Sequence, residues 1–496
     1  MSTPIPVSTS AEVRALDAYS IDTVGISSMA LMELAGRAVC EEIVGRFERQ
    51  AKSGVLVVAG RGNNGGDGYV IARMLFARGY PVRVCALPGE MTPDCRQNHQ
   101  AAASIGIPIE HTLEKGTSGL VVDAMVGTGL TSALRAPISD WVGAVNAWGL
   151  PVIAVDLPTG VCGDSGALLG SAVLAALTVC IGRAKLGAFL EPAADWVGDV
   201  VVADIGLVGE VEYAAEIVDG AWVAERLPKR TASSHKKQHG HLAVVAGSVQ
   251  QAGAAVLTCN AAMASGCGLV TLMIHPSAVD RLGQLGPEIM VKPTEHVGEE
   301  DFANFQAVAV GPGFGTEESH RITLRNLWEK LPIPAVFDAD GLTALSSDFR
   351  TAAFPRCVTP HPGEAARLLG WSSSEIQANR YVAARRLGAV VPTLLKGRHS
   401  LISASTGPVR INPTGSSALA TAGSGDVLTG IVGAYLAGGV EPAEALTLGA
   451  FVHGWAAESV GRPHLAAGEL NAVIGEAMVT VAQRCDVLRL NPLFGP

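Results

Sequence analysis

Gly423-Ser424-Gly425 stands directly before Asp426, and Asp426 opens an apolar run through Val427, Leu428 and Ile431. Backbone N–H groups at a helix N-terminus favour phosphate oxygens, and glycines let those oxygens come close to the main chain. A carboxylate in the same turn repels such an anion, so its presence needs a reason. General-base catalysis supplies one: Asp426 takes the proton from a hydroxyl that attacks the bound phosphorus. An aspartate here can also serve as a helix N-cap, although a cap does not require three small residues ahead of it.

Other segments of the same half carry groups suited to that chemistry. Val310-Gly-Pro-Gly313-Phe-Gly315 follows a strand-like run and gives a second loop where a ligand can approach the backbone. Phe337-Asp338-Ala-Asp340 ends a strand in two carboxylates, and Thr359-Pro-His361-Pro-Gly-Glu364 fixes a histidine and a glutamate in a proline-stiffened turn. Leu394-Leu-Lys396-Gly-Arg-His-Ser puts a lysine at a strand end, where a nucleotide could meet it. Singly, each has an ordinary reading: His361 as a turn residue, Lys396 as a solvated charge, Asp338 and Asp340 as caps.

The first half has its own set. Gly60-Arg-Gly-Asn63-Asn64-Gly65-Gly66-Asp67-Gly lies between a strand and a helix, at the carboxyl edge where ligands collect in a parallel sheet. Its glycines lack the dinucleotide GxGxxG spacing, so ordinary dehydrogenase chemistry is not implied. Asn-Gly and Asp-Gly pairs are also common turn formers. Asp123 and Asp156 end two further strands, followed by Gly127-Thr-Gly and by Leu-Pro-Thr159-Gly. A lone strand-end aspartate is usually a turn or cap, but three acidic strand ends on one edge point to a site.

The elements that must hold these residues read as α/β. Val55-Leu-Val-Val, Leu120-Val-Val-Asp and Val152-Ile-Ala-Val-Asp alternate with helical stretches such as Tyr69 to Arg78, the pattern of a parallel sheet covered on both faces. A leading helix from Leu31 to Phe47 packs on that sheet. The first half closes near Ile205. A basic, turn-rich stretch from 225 to 240 marks a composition shift, and the strand Leu242-Ala-Val-Val begins a second α/β half. The histidines of the stretch show no ligand spacing, which leaves a solvated loop or one that neutralises phosphate.

At 496 residues the chain is too long for one ordinary core. Its 48% hydrophobic and 17% charged residues and 58 glycines suit a folded enzyme. The net charge of -10 argues against a nucleic-acid surface. The nine cysteines are scattered in apolar runs, as expected of buried thiols in a reducing cytoplasm. No run reaches membrane-spanning length, and the first residues lack a signal peptide's pattern. A soluble cytoplasmic protein is expected.

Leu31-Met-Glu-Leu-Ala-Gly, Gly62-Asn-Asn-Gly-Gly-Asp-Gly, Asp123-Ala-Met-Val-Gly-Thr-Gly-Leu and Asp156-Leu-Pro-Thr-Gly together resemble the NAD(P)H-hydrate epimerase family, in order, over residues 10–212. The resemblance implies a Rossmann-like three-layer α/β/α domain. It places Asn63, Asn64, Gly65, Gly66 and Asp67, with Gly127, Thr128, Gly129, Leu130, Thr131, Ser132 and Ala133, along the nucleotide substrate. It implies a potassium ion (K+) on Asn64, Asp123 and Thr159, and makes Asp156 the residue that touches the hydrated nicotinamide and moves the proton. Relatives often carry serine where Thr159 stands, and the hydroxyl is kept.

The second set of segments, with Gly253-Ala254-Ala and Ala264-Ser-Gly-Cys-Gly-Leu-Val, resembles the ADP/ATP-dependent NAD(P)H-hydrate dehydratases, a branch of the ribokinase-like α/β fold, over residues 218–496. That resemblance puts Ala254, Gly313 or Gly315, His361 and Asp426 around the hydrated dinucleotide. Lys396, Gly397, Arg398, His399, Ser400 and Gly425 would contact the adenine nucleotide. Relatives commonly have threonine where Ser424 stands. The fusion of both halves resembles the bacterial, ADP-dependent arrangement, with magnesium (Mg2+) beside the phosphates. The implied partners are the small molecules NADHX, NADPHX and ADP, with a homo-oligomer expected and no nucleic acid or membrane. A ribokinase-like vitamin or sugar kinase shares the loop-plus-aspartate arrangement and is the main rival; a non-catalytic nucleotide sensor is another.

Overall fold

The computed structural model describes residues 3–209, 212–483 and 489–491. It divides into two compact units, Ile5–Ala215 with the C-terminal Leu488–Pro496, and Glu216–Val487 with Met1–Pro4. The basic stretch 225–240 therefore lies inside the second unit, after the division. The far end of the expected dehydratase domain, residues 484–488 and 492–496, lies outside the described residues, as do Glu210 and Val211.

In the first unit an eight-stranded sheet runs in the order Arg489–Asn491, Asp199–Ala203, Leu177–Ile181, Val152–Val155, Leu120–Ala124, Val55–Ala59, Val82–Ala86, Ile109–Glu110. Every neighbouring pair is parallel. The three runs read as strands form strands, and Val55–Ala59 is buried at every residue, as a sheet covered on both faces requires. The chain order reverses between Val55–Ala59 and Leu120–Ala124. A crevice opens at the carboxyl ends of strands at such a switch point, and Asn64 and Asp123 stand there. The leading helix spans Ser28–Lys52, longer than expected, with non-helical backbone at Phe47.

One expectation changes in detail. The Asn63–Gly68 stretch is the start of the helix Asn63–Ala77 and no free loop. Its glycines act by close packing: a Cβ on Gly65 would sit 2.1 Å from the Gly60 carbonyl oxygen, and one on Gly68 2.7 Å from Ala124 Cβ. Tertiary approach, here, outweighs the poor helix propensity of glycine.

The second unit has seven parallel strands, Met290–Pro293, Leu269–Ile274, His241–Val245, Ala307–Val310, Ala335–Phe337, Arg356–Val358 and Thr393–Leu395 in spatial order. Two antiparallel strands, Leu401–Ser403 and Val409–Ile411, follow them. The helix Ser424–Ala437 is buried from Val427 to Ala437, the mark of a central helix enclosed on all sides. It lies tight against the helix Ala252–Ala264, because a Cβ on Gly430 would meet the Thr258 carbonyl oxygen at 2.2 Å. Thr258 Oγ1 also donates to the Asp426 carbonyl oxygen at 3.1 Å, which ties the turn that carries Asp426 to this packing.

Candidate active sites

In the first unit Asp156 follows the strand Val152–Val155 with φ of 69°, in the left-handed region that aspartate tolerates better than most side chains. Its Oδ1 contacts the ammonium of Lys185 and accepts from Ile181 N at 3.3 Å. Its Oδ2 accepts from Thr128 N at 3.3 Å. A Cβ on Gly127 would lie 2.9 Å from that Oδ2 and 3.2 Å from Asn64 Oδ1, so the glycine leaves room where the two side chains converge. Thus Asn64, Gly127, Thr128 and Asp156 are brought together.

Asp123 is 1% exposed. Its Oδ2 accepts from Thr159 N at 2.8 Å and its Oδ1 from the Thr159 hydroxyl at 2.7 Å. Burial pushes its pKa up to about 6 against those hydrogen bonds. The Asn64 amide has a buried nitrogen with no partner. Amide nitrogen and oxygen are interchangeable in shape, so the unsatisfied atom can equally be an oxygen awaiting a cation. The Asp123 carboxylate and the Thr159 hydroxyl are hydrogen-bonded to each other, and together with an Asn64 oxygen they would supply the hard-oxygen donors that a potassium ion takes.

Asp67 and Asp17 complete the surroundings. Burial, then the charges of Asp156 and Asp17, push Asp67 well above the usual carboxylate range while Lys185 opposes them. Burial also raises Asp17, on the helix Ser10–Ala18, against the pull of Lys185. Asn63 is exposed and its side-chain oxygen accepts from Thr92 at 3.0 Å, outside the hydrogen bonds that join the others. Gly129, Thr131, Ser132 and Ala133 run on as an exposed loop with Leu130 half-buried, while Gly65 and Gly66 are buried in the helix start. Neither Lys185 nor Asp17 was expected from the sequence, although Lys185, like Asp156, sits at a strand end, Ala184–Lys185.

In the second unit Asp426 lies in the first turn of Ser424–Ala437, after Gly423 at φ of 90°. Burial first, then Asp338 and Asp340, push its pKa up to about 6, with Lys396 pulling the other way. Lys396 Nζ contacts Asp338 Oδ1 at 2.7 Å and would lie 3.2 Å from a Cβ on Gly425, directly beside the Gly423–Gly425 turn. The burial of Lys396 lowers its pKa, but Asp338, Glu364 and Asp426 outweigh it and hold the ammonium charged.

His361 caps the helix Pro362–Leu369: its Nδ1 accepts from Gly363 N at 3.0 Å, and its backbone N–H donates to Glu364 Oε2 at 2.8 Å. Burial and the Asp338 charge push Glu364 upward. Gly315 N donates to Asp340 Oδ2 at 2.9 Å, and a Cβ on Gly313 would lie 3.1 Å from Ala254 Cβ. Ala254, Gly313, Gly315, His361, Lys396, Gly425 and Asp426 therefore share the carboxyl edge of one sheet. Gly397, Arg398, His399 and Ser400 form the turn that leads into Leu401–Ser403; Gly397 and Arg398 are exposed, and Ser400 Oγ donates to the Gly397 carbonyl at 3.1 Å.

Sequence reasoning singled out the turn that carries Glu364 without giving the glutamate a role, and missed His453 altogether. His453, buried in the helix Pro442–Ser459, has its pKa pushed down to about 4 by burial and by Lys396, against a bond to the Ser424 backbone. It sits inside an apolar helix, so its period reads as core.

A buried carboxylate beside a glycine-rich helix start in one unit, and strand-end carboxylates gathered at a sheet's carboxyl edge in the other, give two sites of the kind an α/β enzyme carries. Two curated relatives named bifunctional NAD(P)H-hydrate repair enzyme Nnr match across both units, that of Moorella thermoacetica at 36% identity over 92% of each chain and that of Escherichia coli at 33% over 90% of this chain and 88% of its own. The chain belongs to the bifunctional NAD(P)H-hydrate repair enzymes, with an epimerase and a dehydratase in one polypeptide. Family models agree by unit: YjeF-related protein N-terminus matches residues 28–187 and NAD(P)H-hydrate dehydratase residues 242–478. A crystal structure of the ADP/ATP-dependent NAD(P)H-hydrate dehydratase from Bacillus subtilis, with ATP and Mg2+, is 29% identical over 53% of this chain and 97% of that one, at a TM-score of 0.48. The kinase and sensor readings do not explain relatives that match along both units.

Proposed function

We propose that Asp426 is the base of an ADP-driven dehydration and Asp156 the proton carrier of the epimerisation that feeds it. Water added at C6 of a reduced nicotinamide gives R and S hydrates that no longer donate hydride. Asp426 takes the proton of the S hydrate's 6-hydroxyl, and the oxygen attacks the terminal phosphorus of ADP, displacing AMP. Phosphate then leaves with the electrons of the C6–O bond, and loss of a C5 proton restores the ring. Hydroxide is a poor leaving group and phosphate a good one, which is why phosphoryl transfer serves a dehydration.

The observation that carries this reading is the place of Asp426: in the first turn of a buried helix, over Lys396, with a pKa near that of a working base. The Gly423–Gly425 amides and the Lys396 ammonium stabilise charge on the transferring phosphoryl group. Magnesium, held through the nucleotide phosphates and one or two of the carboxylates here, would supply further positive charge. In the first site Asn64, Asp123 and Thr159 would hold potassium, which supplies a fixed charge beside the substrate. The choice of ADP rests on the fusion of the two domains. Eight free cysteines, among the described residues, support a reducing cytoplasm, and a homo-oligomer follows from the family resemblance.

The test supplies mixed R and S hydrates with ADP, then with ATP, and follows both isomers by chromatography. Asp426→Asn should abolish recovery of the reduced-nicotinamide absorbance while epimerisation persists. Retained recovery overturns the base assignment.

A further inference from the structure

Asp156 has two oxygens in unlike surroundings. Oδ1 is taken up by the Lys185 ammonium and by Ile181 N at 3.3 Å. Oδ2 faces the Gly127–Thr128 turn and accepts from Thr128 N at 3.3 Å, and the missing side chain of Gly127 lets it stand beside Asn64. Lys185 is 1% exposed, and its Nζ also donates to the Ile181 carbonyl, so its place is set by the backbone of the neighbouring strand. Lys185 therefore cannot follow solvent, and Asp156 cannot turn Oδ1 towards a ligand without breaking a buried ion pair.

The charges around it sharpen the point. Asp17 on the helix Ser10–Ala18, Asp67 on Asn63–Ala77 and Asp156 act on one another, and Lys185 is the one ammonium among these four groups. Cys180, on the adjacent strand, is a thiol held at about 11, mainly by burial, and brings no charge at neutral pH. Lys185 is the one cation among them, so Asp156 depends on it for both its balance and its direction.

We propose that Lys185 is the positioning residue of the epimerase site, locking Asp156 Oδ1 so that Oδ2 is presented to the hydrated nicotinamide. The inference rests on Asp156 carrying the proton. Misdirecting a positioned acid or base lowers the chemical step far more than ground-state binding.

The test uses the full chain, R hydrate alone without nucleotide, and the appearance of S hydrate above the uncatalysed background. Lys185→Met should lower kcat at least tenfold with KM within threefold, and Lys185→Arg should recover part of the loss. Lys185→Met placed on Asp156→Ala should cost nothing further, because the two act as a unit. Dehydration of S hydrate by the second unit should stay at the wild-type rate in every variant. If Lys185→Met fails to fold by thermal melting, Lys185→Gln decides: a tenfold loss of kcat supports the proposal, and a kcat within threefold of wild type overturns it. A loss confined to KM also overturns it. If Asp156→Ala itself leaves epimerisation unchanged, the proton-carrier reading falls; if Asp156→Ala abolishes it and Lys185→Met does not, only the positioning role falls.

Discussion

Lys396 Nζ lies 2.7 Å from Asp338 Oδ1, and the other Asp338 oxygen accepts from the Thr429 hydroxyl, also at 2.7 Å. Asp338 is 2% exposed at the end of the strand Ala335–Phe337, so the pair fixes a lysine from one strand end under a helix N-terminus by way of a second. Removing one partner of such a buried pair strands the other, at a cost of about 3–5 kcal/mol. Lys396→Met should therefore lower the urea midpoint of the second unit and abolish dehydration. Lys396→Met with Asp338→Asn should restore much of the stability and none of the activity. An active double variant would remove Lys396 from the chemistry.

The pH dependence follows from Asp426. A base works only ionised, and burial with the Asp338 charge raises Asp426 from the ordinary 3.8 to about 6. The carboxylate is fully formed above that value and is lost as pH falls through it. The kcat/KM for S hydrate, which reports free-enzyme groups, should hold above pH 7 and fall about tenfold per unit below 6 as the ionised fraction drops. A profile flat down to pH 5 would mean that Asp426 is ionised far lower or is not the base.

Thr429 offers a softer perturbation of the same cluster. Its hydroxyl donates to Asp338 Oδ2 and stands 3.0 Å from the Gly425 carbonyl. Thr429→Val keeps the shape and leaves a buried carboxylate oxygen unsatisfied, about 1–3 kcal/mol less stable. The expected outcome is a raised KM for the nucleotide with kcat changed less, and recovery in Thr429→Ser. Equal nucleotide KM in all three proteins would detach Asp338 from nucleotide binding.

The strand ends were legible because buried parallel strands read as apolar runs, and a polar residue closing such a run stands out. Asp123, Asp156, Asp338 and Lys396 were all visible in that way. Lys185 was not, because Ala184–Lys185 is two residues long and shows no period. Asp17 was hidden for another reason: it belongs to a helix whose acidic residue reaches the site only through packing. Asn63–Gly68 misled in its local form, since three glycines in six residues signal a turn, whereas the close approach of the Gly60 carbonyl and the Ala124 side chain explains them inside a helix.

Gly430 tests the packing that carries Asp426. A Cβ there would lie 2.2 Å from the Thr258 carbonyl oxygen, and neither helix can yield without moving the turn that carries Asp426. Overpacking of this kind costs about 1–3 kcal/mol, which outweighs the ~1 kcal/mol that alanine gains over glycine in a helix. Gly430→Ala should lower the denaturation midpoint and reduce dehydration. Gly475, exposed in the helix Ala467–Thr480 with its nearest neighbour 3.9 Å from a Cβ, is the control: Gly475→Ala should be neutral or stabilising. Equal effects at the two positions would mean the close helix contact is not what Gly430 provides.

The potassium reading is tested through Thr159, whose hydroxyl donates to Asp123 Oδ1 at 2.7 Å and whose backbone N–H donates to Oδ2 at 2.8 Å. The backbone bond survives any substitution, so Thr159→Val removes an oxygen donor while Asp123 keeps the backbone N–H groups of Thr159 and of Met125, the latter at 3.2 Å. If Asn64, Asp123 and Thr159 hold the ion, epimerisation by the wild type rises and saturates with potassium at constant ionic strength. Thr159→Ser should keep that curve. Thr159→Val should flatten it or shift it at least tenfold towards higher potassium, with dehydration of S hydrate unchanged. A wild-type rate indifferent to the exchange of potassium for a bulky organic cation would leave Asp123 as a buried carboxylate held by the Thr159 turn and the Met125 backbone N–H.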